Sequence, residues 1–421
     1  MHQPNQEIND MSEIKVSKIK GKTGVNGGKP NIASSFTIGG LSLDSAYGAT
    51  GEGTILNRGI INSNTLPDSA EVERGNFWYN DSGATPTLSM LVDPAENRWV
   101  TLNGTEWSGL SGGGGWYGDR AVIGGGYTTT SQYNENGIDY KSITVSSATA
   151  TDFGDLTVAR VGVFSGSDGT TGVFYGGYAQ GVTNRDTMDY VTIATPANAT
   201  DWGGTLSAGS REGGSYCDGS YHVTGGAIYN NDNNNANRID YFTTTTGSSS
   251  SQFGTLTVTA YHRACANDAT RGLFGGGSFW DGSTNTYQNT IDYITTATTG
   301  NATDFGDLTY GRTNLTGTSS TTTAFWMGGT TNSTNHELVI DYVTIQTTAN
   351  AADWGDLSLS IRSAGATSDG VDYALCCGGS ASWGSTERIG RFSMTTSGNA
   401  ADFGDLVRDR TSNPAGSTSG D

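Results

Sequence analysis

From residue 120 onward, short apolar runs alternate with polar stretches on a beat of about 50 residues. Runs such as Val173-Phe174-Tyr175 and Ala324-Phe325-Trp326-Met327 have the length and composition of buried strands. Each such run closes on a glycine pair: Gly125-Gly126, Gly176-Gly177, Gly225-Gly226, Gly276-Gly277, Gly328-Gly329 and Gly378-Gly379. An apolar-Asp-Tyr step follows at Ile138-Asp139-Tyr140, Met188-Asp189-Tyr190, Ile239-Asp240-Tyr241, Ile291-Asp292-Tyr293 and Ile340-Asp341-Tyr342, with a degenerate sixth copy at Ile389-Gly390-Arg391. Further on come an aromatic-glycine step (Phe153, Trp202, Phe253, Phe305, Trp354, Phe403) and a leucine (Leu156, Leu206, Leu256, Leu308, Leu357, Leu406). An arginine ends each unit: Arg160, Arg211, Arg263, Arg312, Arg362 and Arg410.

This four-part pattern resembles the kelch repeat, and the resemblance covers the chain from Trp116 onward. It implies that each unit folds as a four-stranded blade and that the blades pack radially about a channel. A single unit cannot bury both of its faces. Stacking is therefore expected to bury the six aromatics between neighbours, with the glycine pairs allowing close backbone approach near the axis. The first unit starts directly at its glycine-pair strand, Arg120 to Gly126. The final segment, Arg410 to Ser417, aligns with Arg362 to Thr367, the strand which that first unit lacks. The expected fold is all-β: a six-bladed kelch-like β-propeller over residues 116–421, closed by its C-terminal strand so that no open edge remains.

The earlier residues follow another pattern. Phe77-Trp78-Tyr79, Leu88-Ser89-Met90-Leu91 and Arg98-Trp99-Val100 predict a small β-meander over 67–110. Residues 1–66 read as an extended attachment segment, and Ser111 to Gly115 as a glycine-rich linker. The Gly-x-aromatic-Trp-Tyr module, the opening Met11 to Ile19 and the joint Trp116-Tyr117-Gly118-Asp119-Arg120 resemble modules of tail-fibre and structural proteins of marine tailed phages. That resemblance implies a virion protein, made in the host cytoplasm and anchored to other virion proteins through its N-terminal region. It also implies oligomers on the particle.

Composition narrows the chemistry. The 63 glycines sit among regularly spaced aromatics, so they read as turn chemistry and not as a disordered linker. A net charge of −19 leaves no basic stripe for nucleic acid over most of the chain. Lys15, Lys18, Lys20, Lys22 and Lys29 stand near the start and only Lys141 follows them. This is either a solvated segment or an anchoring arm for an acidic partner. Cys217, Cys265, Cys376 and Cys377 form no metal or disulfide framework. No apolar stretch reaches the roughly 20 residues of a membrane helix, and the polar start lacks a signal-peptide core. Export by the standard route and membrane insertion are therefore not expected.

Catalysis is not expected either. His2, His222, His262 and His336 form no close pair of the kind that a copper site of this fold needs. The six arginines recur once per unit, which fits a structural role better than a sialidase-type site, and the repeat-locked aspartates read as turn caps that bond backbone amides. No cofactor is implied. The run Asn230 to Asn235 is a polar hairpin tip or a calcium loop. The loops after the glycine pairs (Thr128 to Asn136, Ala179 to Thr187, Tyr229 to Arg238, Ser278 to Thr290, Thr330 to Leu338, Ser380 to Arg388) vary in length and content. They are the expected binding surface, with Trp280, Trp383, Tyr229 and Asn233 as candidate ligand contacts for a host-surface glycan or protein. The functional expectation is a tail fibre that displays a propeller for host attachment. A capsid-attached head fibre or decoration protein and a glycan depolymerase, the latter through a carboxylate pair, are the alternatives.

Overall fold

The computed structural model describes residues 117–420 apart from 129–132, 146–148, 181–185, 231–235, 333–334 and 411–415, together with strand backbones between residues 21 and 108. Two compact units divide at Gly113 and Gly114. In the first unit, Phe77–Asn80, Thr87–Asp93, Arg98–Thr101 and Glu106–Ser108 form the expected meander. The sheet reaches further back than residue 67. Ile60–Asn62 pairs parallel to Phe77–Asn80, and Thr54–Leu56 adds a sixth strand. Two hairpins, Gly21–Thr23 with Pro30–Ile32 and Ser35–Ile38 with Leu41–Asp44, also lie within the segment read as extended.

The second unit is a six-bladed β-propeller, with no helix among the described residues. Each blade is an antiparallel sheet ordered inner, second, third and outer strand. Blade 2, for example, runs Phe164–Ser167, Thr171–Tyr175, Met188–Thr192 and Thr200–Asp201. The inner strands touch one another in succession around the ring. Blade 1 takes its inner strand from the far end of the chain: Gly416–Gly420 pairs antiparallel with Arg120–Gly124, from Arg120 opposite Gly420 to Gly124 opposite Gly416. The C-terminal strand therefore closes the ring.

Core burial follows the repeat. Each junction between consecutive blades holds one apolar cluster, and Phe153, Trp202, Phe253, Phe305 and Phe403 are all buried in these clusters. Trp354 is only half-buried, and its indole N–H donates to Ser393 O at 3.0 Å. In every blade but the second, the glycine after the aromatic sits at a bulge in the outer strand. At Gly154 a side chain would collide with the carbonyl of Ala197 in the next blade. That contact comes with a recurring Asn-Ala step. Asn198 Oδ1 accepts from Asp155 N–H at 3.0 Å, and Ala199 N–H donates to Asp155 O at 2.8 Å. Asn301-Ala302, Asn350-Ala351 and Asn399-Ala400 repeat the arrangement at the following junctions.

The glycine pairs do not face the axis. Both members take positive φ in every blade but the third, as at Gly125 (74°) and Gly126 (109°), whereas Gly225 ends its strand and only Gly226 (62°) turns. Their close approach is to the segment that leads into the next inner strand: Gly126 N–H donates to Arg160 O at 2.8 Å and Gly379 N–H to Arg410 O at 2.7 Å.

The repeat aspartates bond backbone amides as expected, with Thr257, Thr309 and Val407 N–H donating to Asp292, Asp341 and Asp139. The arginines are structural, and what the repeat does not show is that the two sets meet. They pair with one another. Arg160 meets Asp189, Arg263 meets Asp292 at 2.6 Å and Arg312 meets Asp341 at 2.9 Å, all with fully buried side chains. Arg410 Nη2 stands 2.9 Å from Asp139 Oδ1, at ion-pair distance but off hydrogen-bond alignment. Arg410 Nη1 donates to Gly125 O and Gly137 O, both at 2.7 Å. Burial pushes the Asp139 carboxyl up, and the Arg410 charge opposes it; burial likewise lowers the guanidinium of Arg410. The carboxylates also take bonds from residues just beyond the preceding blade's outer strand, such as Thr309 Oγ1 to Asp341 at 2.7 Å.

Nor do the arginines share one position. Arg160 and Arg312 lie four residues before their inner strands, Arg211 and Arg362 three, and Arg263 one. Two blades depart from the lock. In blade 3, Asp240 is held by Arg238 of its own strand, with Nε 2.9 Å from both oxygens, while Arg211 turns to Glu212. In blade 6, Gly390 replaces the aspartate.

A belt of side-chain donors lines the channel. Ser167 donates to Ser419 O, Ser419 to Ser368 O at 2.6 Å, Ser368 to Ser319 O at 2.6 Å, Ser319 to Asn267 O at 2.7 Å, and Asn267 to Cys217 O at 3.0 Å. Five of the six blades thus bond a neighbour in the same rotational sense, and Cys217, a weak donor, holds the sixth position. Tyr117 lies across this end, its hydroxyl 2.9 Å from Ser319 Oγ. Ser319→Ala removes the bonds to Asn267 and Tyr117 together. A loss of about 1–3 kcal/mol is expected in denaturant unfolding, and an unchanged midpoint would show that the belt does not hold the ring.

Candidate binding face

The two ends of the propeller differ. Tyr117 and Gly118 bring the chain in where the inner strands end, next to Asn267, Ser319 and Gly420. The glycine pairs and the variable loops after them lie at the opposite end, where the inner strands begin. The face richest in sequence variation is thus the one turned away from the incoming chain.

Two predicted contacts stand out on that face. Trp280 is 48% exposed at the tip of the hairpin Ser278–Trp280 and Asn285–Tyr287 in blade 4. Its turn is braced by Asp281, whose Oδ1 accepts from Ser283 N–H at 2.8 Å and Thr284 N–H at 2.7 Å. Those bonds hold the Asp281 carboxyl below the usual range. Trp383 is 70% exposed in the tight connection between Ser380–Ala381 and Gly384–Ser393 of blade 6. Ser385 beside it donates to Asp409 Oδ2 at 2.5 Å.

Leu338 of blade 5 and Val407 of blade 6 are also exposed at this end, although the sequence gives no reason to single them out. Of the five exposed large apolar residues among the described residues, only Val145 lies elsewhere, at the opposite end of blade 1.

Tyr229 does not join them. It is buried in the junction of blades 2 and 3, and its hydroxyl donates to Arg238 O at 3.1 Å. The apolar Ile228-Tyr229 strand explains this, because it pairs with Ser210–Arg211 and turns the ring inward. Asn233, with most of the asparagine run, lies outside the described residues, as do Lys15, Lys18 and Lys20. Lys22 lies in the Gly21–Thr23 strand, of which only the backbone is described.

A second feature circles the inner end of the same face. Two residues before the inner strands of blades 2 to 6 the backbone takes positive φ: Gly162 (68°), Glu212 (58°), His262 (58°), Asn314 (55°) and Ser363 (55°). Glu212 N–H donates to Gly162 O at 3.2 Å, His262 N–H to Glu212 O at 3.0 Å and Ser363 N–H to Asn314 O at 2.8 Å, so these residues form a rim around the channel mouth. Holding a non-glycine residue in this region costs about 1–2 kcal/mol. On the rim, Glu212 Oε2 lies 2.8 Å from His262 Nε2, and Glu212 Oε1 accepts from Arg211 at 2.7 Å. Arg211 lies over the Tyr178 ring at 5.6 Å, and the Tyr261 ring meets His262 edge-on at 4.7 Å. Sequence periodicity treats Glu212 and His262 as linker residues, because their contact crosses between blades.

The other two described histidines are placed differently. His336 lies in the blade 5 loop, where burial lowers its pKa. His222 is fully buried and stacked on Phe242 at 4.6 Å, and burial lowers its pKa to about 3. The unfolded chain protonates this group near pH 6.5, so the neutral folded form contributes stability above that pH. That contribution falls by about 1.4 kcal/mol per pH unit between 6.5 and 3. A chemical-denaturation series over this range should show a steep acid loss that His222→Phe flattens; parallel curves would refute the assignment.

Among the described residues, no three His, Cys, Asp or Glu side chains gather as a metal site, and no helix is long and apolar enough to cross a membrane. Comparisons of the sequence with models of known protein families and with curated proteins find no match.

Proposed function

We propose that this chain is a fibre-like structural protein of a phage virion which displays its propeller from the tail and binds a host-surface glycan or protein. The virion part rests on the resemblance of the N-terminal modules and of the joint at Trp116 to Arg120. The binding part is carried by one observation: Trp280, Leu338, Trp383 and Val407 are all exposed on blades 4 to 6 of the face opposite the incoming chain. Large aromatic side chains on braced turns supply contact area with little ordering cost, as recognition surfaces require. The polar, asparagine- and threonine-rich loops around them supply hydrogen bonds.

The test is adsorption of the full-length protein to host cells. Trp280→Ala with Trp383→Ala should weaken adsorption at least tenfold, in line with the cost of truncating an aromatic anchor, about 2 kcal/mol or more. Undiminished adsorption by a folded double variant overturns the face assignment. Immunogold labelling of particles tests the placement: label on tail tips supports it, label on capsids favours a head fibre, and unlabelled particles overturn the virion reading. Release of reducing ends from host envelope glycans would overturn binding without catalysis.

A further inference from the structure

We propose that the channel mouth on the loop face, built around Arg211, Glu212 and His262, is a subsite for a neutral sugar residue. This rests on the reading of that face as a host-binding surface and names its ligand class.

The starting point is the backbone. Every described linker into an inner strand needs a residue at positive φ, yet only blade 2 uses glycine there. The others carry Glu212, His262, Asn314 and Ser363 despite the strain. A fold that needed only the turn would be served best by glycine in each copy. Strained polar residues kept together at one end of a channel indicate that the side chains themselves are used.

Their chemistry selects the ligand. Arg211 and Glu212 neutralise each other at 2.7 Å, so the rim offers an anion no net attraction. The rim presents both kinds of group: carboxylate acceptors, guanidinium donors, and an imidazole, an amide and a hydroxyl that combine the two. A phosphate or carboxylate would use donors alone, whereas vicinal sugar hydroxyls both donate and accept. Arg211 Nε is buried without a protein partner. The half-buried Tyr178 ring beside Arg211 supplies apolar surface of the kind that packs on a sugar face.

The experiment presents full-length protein to an array of neutral glucose-, galactose- and mannose-terminated oligosaccharides alongside sialylated and uronic-acid oligosaccharides, with host-cell adsorption measured in parallel. Neutral oligosaccharides should bind. Glu212→Gln and His262→Gln should each weaken that binding at least tenfold while leaving the melting temperature of the ring in place. If either variant misfolds, hydrogen exchange on the unaltered protein decides the matter: a bound neutral oligosaccharide should protect the amides of 210–214 and 260–264. Binding of charged oligosaccharides alone overturns the proposal, as does sugar binding that both folded glutamine variants retain or that leaves those amides unprotected. Loss of cell adsorption with Trp383→Ala, combined with no sugar bound at the rim, overturns the subsite but leaves the binding face standing. If neither sugars nor cells are bound, both readings fail.

Discussion

Removing the last twelve residues, from Arg410 to Asp421, should abolish the propeller's cooperative unfolding or lower its melting temperature by about 10 °C or more. Two losses combine. The ladder between Gly416–Gly420 and Arg120–Gly124 spans five residue pairs, and each of its hydrogen bonds contributes about 0.5–1.5 kcal/mol. Arg410 also leaves Asp139 as an uncompensated buried carboxylate, which costs about 3–5 kcal/mol. Together these are of the order of a whole domain's stability, about 5–15 kcal/mol. Two raw strand edges would face solvent as well. Deleting residues 1–10 should leave the propeller's transition unmoved. Thermal unfolding of both deletions by circular dichroism is the check, and equal effects would mean that the ring does not depend on its closing strand.

Arg312→Met should destabilise the ring by about 3–5 kcal/mol, because it strands Asp341 in a fully buried site. Arg211→Met, at the corresponding place in blade 3, should cost less than about 1 kcal/mol, since Arg211 is partly exposed and Asp240 is already held by Arg238. Adding Asp341→Leu to Arg312→Met should recover much of the loss, because the unpaired charge is gone. Urea unfolding of the four proteins measures these differences. Similar costs for the two single variants would show that the buried pair is not what locks the blades.

The ring was legible in the sequence because each of its markers answers a local need that recurs once per blade. In five of the six blades the glycine pair reflects a double positive-φ turn and the aromatic-glycine step a bulge against the next blade, and the phase of the first unit reflects the strand supplied from the C-terminus. Counting the arginines placed them in one structural role but at one false position. The guanidinium is long enough to reach its aspartate from one or from four residues before the inner strand, as Arg263 and Arg312 do. The Asn-Ala step before the outer strand is a further signal, present in four of the six blades, and only its inter-blade bonds reveal its purpose.

The candidate binding face was half legible. Trp280 and Trp383 are exposed as expected, but an aromatic residue in a loop cannot be told from one that folds back into a junction, which is what Tyr229 does. The rim pair of Glu212 and His262 is separated by 50 residues, one repeat, so the period places the two at equivalent positions of adjacent blades but does not reveal that side chains at that position touch across the junction.

The chain's route through blade 1 also governs how the propeller carries mechanical load. A pull between the incoming chain at Tyr117 and a ligand on the loop face runs along Arg120–Gly124, which is flanked by the closing strand on one side and by Gly137–Ser142 on the other. Such a force shears both ladders lengthwise, so their hydrogen bonds share the tension instead of peeling apart one at a time. The incoming chain is thereby clamped between neighbours on both sides, and single-molecule stretching between residue 117 and a loop-face position should rupture at higher force than stretching across two adjacent outer strands.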